Sequence, residues 1–188
     1  MQMMITGASK GIGAACKKRF ENCYDIISIA RTGDMTENGD LTCPEFRDMI
    51  VSKYENIDVL INNAGILSED ALMTYELNQI AACHLMEAYA KRGTQIINIG
   101  SAAGYWNAST SSISDKHLYY SVSKSALKKF AGFITAKYKV KITTLEPRRV
   151  SGTAMGKDSK LNAEYIAELI EWILKQPIII ESIHFRGE

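Results

Sequence analysis

Tyr120 and Lys124, one helical turn apart in LYYSVSK, are a pair that could move a proton. Positions i and i+4 of a helix share a face, so an ammonium would stand beside a phenol. The positive charge favours the phenolate and lowers the phenol's pKa. A tyrosine tuned in that way donates or accepts a proton near neutral pH. Tyr119 has no lysine at that spacing, and of the nine tyrosines only Tyr120 does. A single Tyr-x-x-x-Lys in a chain with 22 lysines and arginines is close to chance, so the pair gains meaning only from what surrounds it.

The elements that would position it follow from the apolar pattern. MQMMIT, DIISIAR, IDVLINN, TQIINIGS, VKITTLEP and PIIIESIHF read as strands. Between them GIGAACKKRFENC, CPEFRDMIVSKYE, DALMTYELNQIAACHLMEAYAKRG, HLYYSVSKSALKKFAGFITAKY and LNAEYIAELIEWILKQ have helical spacing. Pro44 sits early enough for a first turn, Gly93 suits a C-cap, and Pro177 closes the last helix. Alternation of apolar strands with helices predicts an α/β fold, a Rossmann-type doubly wound parallel sheet of about seven strands with helices on both faces. Residues 1–188 form a single domain on this reading. NASTSSISDKH, residues 107–117, is Ser/Thr-rich and lies directly before the Tyr120 helix, either as a plain loop or as a border of a site.

Ligands of an open parallel sheet bind beyond the carboxyl ends of its strands. After the first strand comes TGASKGIG, whose Gly7, Gly11 and Gly13 permit a tight turn and a close phosphate at a helix N-terminus. After the second comes Arg31, where an acid would hold the ribose of NAD; an arginine suits the extra phosphate of NADP, with Lys10 a second cation. Asp40 either accepts from an adenine amino group or caps a helix. Asn62 and Asn63 follow the third of these strands and are costly if buried without partners, so a bracing role is expected. Ser101 follows the next strand and Pro147 the one after that. The polar residues thus fall on one edge of the sheet.

The totals exclude several classes. A net charge of +1 gives no sign of nucleic acid, and no apolar run approaches a membrane span. MQMMITG lacks the pattern of a signal peptide, and Cys16, Cys23, Cys43 and Cys83 form no C-x-x-C pair or zinc spacing with the scattered His84, His117 and His184. Reduced thiols in a cytoplasmic protein without a metal are expected, with His117 a surface histidine.

TGASKGIG, the NNAG of 62–65, the serine of INIGSAAG and YSVSK, taken in order, resemble the short-chain dehydrogenase/reductase family of the classical type, over nearly the whole chain. The resemblance implies hydride transfer between a nicotinamide and a carbonyl or alcohol carbon of a small molecule. It matches the family's catalytic asparagine, serine, tyrosine and lysine to Asn78, Ser101, Tyr120 and Lys124. Ser101 would hydrogen-bond the substrate oxygen, Tyr120 would give or take its proton, Lys124 would lower the tyrosine pKa and hold the ribose, and Asn78 would support a relay water through its helix. The implied cofactor contacts are Gly7, Ser9, Lys10, Gly11, Ile12, Gly13, Arg31, Asp40, Leu41, Asn63, Ala64, Gly65, Tyr120, Lys124, Pro147, Val150 and Thr153, with NADP(H) preferred over NAD(H). A homodimer or homotetramer packed through residues about 70–92 and 117–138 is also implied.

The chain departs from the family in three places. Ser101 and Tyr120 are further apart than usual. Pro147 is followed by Arg148 and Arg149 instead of glycine, to bind an anionic substrate group or to face solvent. The lid region, about 148–160, is short. Besides the reductase, two readings stand: a non-catalytic NADPH-binding sensor, and an epimerase or dehydratase, against which the glycine spacing and short C-terminus count.

Overall fold

The computed structural model describes residues 1–104, 114–151 and 160–185. Seven parallel strands form one sheet: β1 (Gln2–Thr6), β2 (Asp25–Ala30), β3 (Glu37–Asn38), β4 (Val59–Asn62), β5 (Gln95–Ile99), β6 (Ile142–Pro147) and β7 (Ser182–Phe185), in the order β3-β2-β1-β4-β5-β6-β7. The Rossmann-type sheet expected from the sequence is therefore the fold. Strand order reverses between β1 and β4, which opens a crevice at their carboxyl ends.

Side-chain alternation along the strands sorts the core into two layers. Met3 and Ile5 of β1 pack on the side of α1 (Gly11–Phe20) and α6 (Ala163–Leu174), with Phe20, Ile166 and Ile170. Met4 packs on the other side, against residues of α2 (Pro44–Lys53), α4 (Ala82–Ala90) and α5 (Asp115–Tyr138), including Ile50, Leu85 and Leu127. Both faces being covered explains why the strands are almost continuously apolar.

Three details differ from the sequence reading. β3 is an added two-residue strand, paired Ile29 to Glu37 and Ala30 to Asn38. The helix expected over 70–92 is not regular: α3 (Ala71–Tyr75) runs into a π-helical turn, Glu76–Ala81, before α4. The last strand shortens to Ser182–Phe185. Among the described residues no helix is long and apolar enough to cross a membrane. The four cysteines are free thiols, and His117 is an exposed first-turn residue of α5 bonded through Nδ1 to Ser114 Oγ at 2.8 Å.

Candidate active site

The glycine turn is built where β1 meets α1. Gly7 and Gly11 have φ of +66° and +57°, a conformation that side chains disfavour. Gly13 must lack a Cβ, since one would lie 2.3 Å from the Gly7 carbonyl oxygen. The turn is fixed from β4: Asn63 Nδ2 donates to the carbonyls of Thr6 and Gly7 at 2.9 and 3.1 Å, and Thr6 Oγ1 accepts from the Asn63 and Ala64 amides at 3.0 Å each. Asn63 thus performs the bracing role expected of the asparagines, while Asn62 Nδ2 ties β4 to its neighbours by donating to Ala82 O and Asn98 Oδ1. Ser9 and Lys10 stay exposed at the mouth of the turn, and Ile12 is buried under it.

Arg31, exposed after β2, faces Asp40 with 3.9 Å between Nη1 and Oδ2. Asp40 spends its other oxygen on the turn, where Oδ1 accepts from Thr42 N and Oγ1 at 2.9 Å each. Leu41 is buried, and its carbonyl accepts from the buried Arg47, which also pairs with Glu76 at 2.6 Å. Arg47 thereby ties the loop after β3 to the π-helical turn.

That turn carries Asn78, fully buried. Its Oδ1 accepts from Ile66 N at 2.7 Å, and its Nδ2 donates to Ile66 O at 2.8 Å and Ser123 Oγ at 3.2 Å. Local π turns recur at functional sites because the extra residue re-aims the chain. Here it lets one amide lock the loop after β4 to the middle of α5. Gly65 in that loop is closely fitted: a Cβ would sit 3.2 Å from Asn78 Oδ1 and 3.4 Å from Lys124 Nζ.

α5 carries Tyr120 and Lys124. Ser101 follows β5, and the loop behind it is pressed onto α5 by Ser121 Oγ donating to Ala103 O and Ser125 Oγ donating to Gly104 O, both at 2.6 Å. Ser123 Oγ donates to Tyr120 O. These three serines were not singled out by the sequence reading, although their type carried a signal: serine is a poor mid-helix residue unless its hydroxyl has a partner. Tyr119 turns away and packs edge-on against Tyr75, ring centroids 6.0 Å apart.

Tyr120, Lys124 and Ser101 are 7%, 4% and 9% exposed. Burial holds the Tyr120 phenol above its ordinary pKa, with a hydrogen bond from Ser101 opposing that shift. Burial also pulls Lys124 down to about 8. Its Nζ donates to Ile99 O at 2.8 Å and lies 5.7 Å from the Tyr120 ring centroid. Burial is the larger of the two influences on the Tyr120 phenol, ahead of the opposing hydrogen bond with Ser101.

Past β6, Pro147 and Val150 are buried while Arg148 and Arg149 are exposed. Thr153, residues 107–113 of the Ser-rich segment and 152–159 of the lid region lie outside the described residues.

The family model of the short chain dehydrogenases matches residues 26–164. The chain belongs to the short-chain dehydrogenase family. Among curated relatives of this family, the chain is 24% identical to an NADP-dependent 3-hydroxy acid dehydrogenase of Salmonella typhi, over 94% of this chain and 90% of that protein. A 4-hydroxyisoleucine dehydrogenase solved with NADH and succinate superposes with a TM-score of 0.81, at 24% identity, covering 99% of this chain and 97% of the other. BdcA in complex with NADPH superposes at 0.83, with 20% identity, 99% of this chain and 93% of the other. At these identities the solved structures speak for the fold. Asn78 lies on the π-helical turn, Ser101 just past β5, and Tyr120 and Lys124 together on α5.

Proposed function

We propose that this chain is an NADP(H)-dependent oxidoreductase that transfers a hydride between nicotinamide and a carbonyl or alcohol carbon of a small molecule, with Tyr120 as general acid/base. The observation that carries this reading is the meeting of Ser101, Tyr120 and Lys124, nearly buried, at the sheet edge next to the braced glycine turn. The residues fit such a cofactor. Gly7 and Gly11 give the turn its left-handed backbone and Gly7 and Gly13 let it pack closely against Asn63 and Ala64, so that the N-terminus of α1 is presented as a pyrophosphate site. Arg31 and Lys10 are the cations suited to the additional phosphate of NADP, with Asp40 Oδ2 and Leu41 at the adenine end.

When bound, the nicotinamide supplies or accepts the hydride. Ser101 hydrogen-bonds the substrate oxygen and Tyr120 passes it a proton. Lys124 has three N–H donors, of which one is held by Ile99 O, so two can serve a ribose hydroxyl and the phenol side. Asn78 has its amide fully engaged and acts by holding the π turn and α5 in place. A phenol kept protonated by burial is suited to donating, which agrees with carbonyl reduction and with an NADPH preference.

A thermal-melt titration with NADPH and NADH tests the cofactor assignment. Saturation near 100 times Kd adds about 2.7 kcal/mol, a rise of roughly 5–10 °C for this size. The larger rise is expected with NADPH, and Arg31→Ala should shrink it while leaving the NADH response in place. A larger rise with NADH contradicts the assignment of Arg31 and Lys10.

The same reading includes self-association through α3–α5. Leu72 (81% exposed), Ile80, Leu118, Val122 and Phe133 (67%) leave apolar surface on these helices that a second copy would cover. Light scattering should give at least twice the 20.9 kDa of one chain, and a clean monomer at micromolar concentration would refute this part.

A further inference from the structure

Arg47 is a charged residue in a place suited to an apolar one. It stands three residues before the fully buried Ile50 on α2, on the same face, and is 4% exposed. Its Nη1 donates to Leu41 O at 2.8 Å, to Thr42 O at 3.4 Å and to Glu76 Oε1 at 2.6 Å. Its Nε is buried and has no partner among the described residues. Burying a guanidinium is costly, and an apolar side chain of similar volume would cover this face of α2 at less cost. What sets Arg47 apart is what it joins.

On one side is the loop after β3, where the cofactor reading puts the adenine end. Arg31 lies 3.9 Å from Asp40 Oδ2, and Asp40 Oδ1 holds Thr42 N and Oγ1. A phosphate at Arg31 competes with Asp40 for the same guanidinium, so the loop that carries the Leu41 and Thr42 carbonyls responds to its arrival. On the other side, Glu76 opens the π-helical turn. Tyr75, just before it, packs edge-on against Tyr119. Asn78, within it, donates to Ser123 Oγ, which donates to Tyr120 O. These contacts meet α5 on either side of Tyr120, and Ser123 is next to Lys124.

A π turn is suited to pass such a change on. It holds one residue more than an α turn, so a loosened turn has a neighbouring α register, about 100° of rotation away. The side chains that grip this turn have separate anchors. Asn78 is tied through Ile66 to the loop after β4, and Glu76 is tied through Arg47 to the loop after β3.

We infer that Arg47 is a positioning residue: with Glu76 it couples occupancy of the adenine end to the placement of Tyr120 and Lys124. The inference rests on the oxidoreductase reading above.

The test uses fragments that fill the adenine end and stop short of the nicotinamide: adenosine 2′,5′-bisphosphate, and AMP as the form without the 2′-phosphate. Amide hydrogen exchange is read by mass spectrometry with the fragment at about 100 times Kd. In the wild-type protein, exchange should slow about 10-fold at residues 76–81 and 119–124, beyond any change in α6, which packs on the opposite face of the sheet and reports general stabilisation. Arg47→Met fills much of the same space without the charge. It should still bind the fragment and slow exchange at residues 39–43, while the slowing at 76–81 and 119–124 disappears. Glu76→Gln, a milder change, should reduce that slowing to about threefold. With NADPH and a panel of carbonyl compounds, Arg47→Met should lower kcat about 10- to 100-fold and leave KM for the carbonyl compound within about twofold.

Slowing confined to residues 39–43 in the wild-type protein would overturn the inference. So would slowing in α5 that survives in Arg47→Met, because the signal would then run through the loop after β4 and Asn78. Failure of both fragments to bind would overturn it too, and failure of NADPH to bind would take the cofactor reading with it. Slowing that reaches α5 through Arg47, in protein that reduces no carbonyl compound, would support the coupling and count against the oxidoreductase.

Discussion

Tyr120→Phe should cut turnover by about 10²- to 10⁴-fold, the usual worth of a positioned general acid, while NADPH affinity stays within about twofold. The ring is 7% exposed, and phenylalanine fills the same space. The loss is one hydroxyl and its hydrogen bond with Ser101, on the order of 1 kcal/mol of stability, so the variant should fold. The pH profile adds a second readout. Burial raises the phenol pKa, so Tyr120 is protonated throughout the neutral range, and the phenol itself should impose no pH dependence on carbonyl reduction from about pH 6 to 8. A fall that follows loss of the Lys124 charge near 8 should persist in the phenylalanine variant, and the later fall, as the phenol ionises, should be missing from it. Full turnover by the variant would remove Tyr120 from the chemistry and favour the reading of an NADPH-binding sensor.

Lys124→Met should abolish most activity and yet stabilise the protein at pH 7. Burial lowers the lysine from 10.5 to about 8, so the folded protein carries a charge there at a cost of about 3 kcal/mol. Methionine removes that cost and loses the hydrogen bond to Ile99 O, worth about 1 kcal/mol. A net gain of about 2 kcal/mol, or roughly 4–8 °C, is expected. The sign with pH follows from a lysine whose folded pKa is depressed. The penalty is present in full below about 8 and is relieved as pH rises towards 10.5, where the unfolded chain also loses its proton. The advantage of the methionine variant should therefore shrink between those values. A variant less stable at pH 7, or a gain that ignores pH, would contradict the account. Functional sites often carry such a stability cost, since a residue suited to the chemistry is poorly suited to the core.

Much of this was legible in the sequence, for physical reasons. The strands of a two-faced sheet are apolar throughout, and polar residues at their ends, such as Thr6 and Asn63, brace the turns that follow. Gly7 and Gly11 were readable because their backbone angles exclude other residues. β3 was not, because Glu37 and Asn38 have no apolar pattern and are paired only along the edge of β2. The π turn was hidden as well: one extra residue barely disturbs the apolar period of a long helix, and what stabilises it is the three-bond lock of Asn78 across two other elements. The protonation balance at Tyr120 and Lys124 depended on burial, which spacing alone does not give. The pair was visible from its i, i+4 separation, and the direction of the shift was not. Arg148 and Arg149 were conspicuous as residues, but their place on the far side of Ser101 from the glycine turn came from the strand order.

The measurement closest to the central claim follows the hydride itself. NADPH carrying deuterium at C4 of the nicotinamide is incubated with the protein and the panel of carbonyl compounds, and the products are read by mass spectrometry. The account predicts an alcohol one mass unit heavier than the product made with unlabelled cofactor, formed by the wild-type protein and nearly absent with Tyr120→Phe. Protein that binds NADPH but yields no deuterated alcohol from any carbonyl, or that yields it equally well without the Tyr120 hydroxyl, would contradict it.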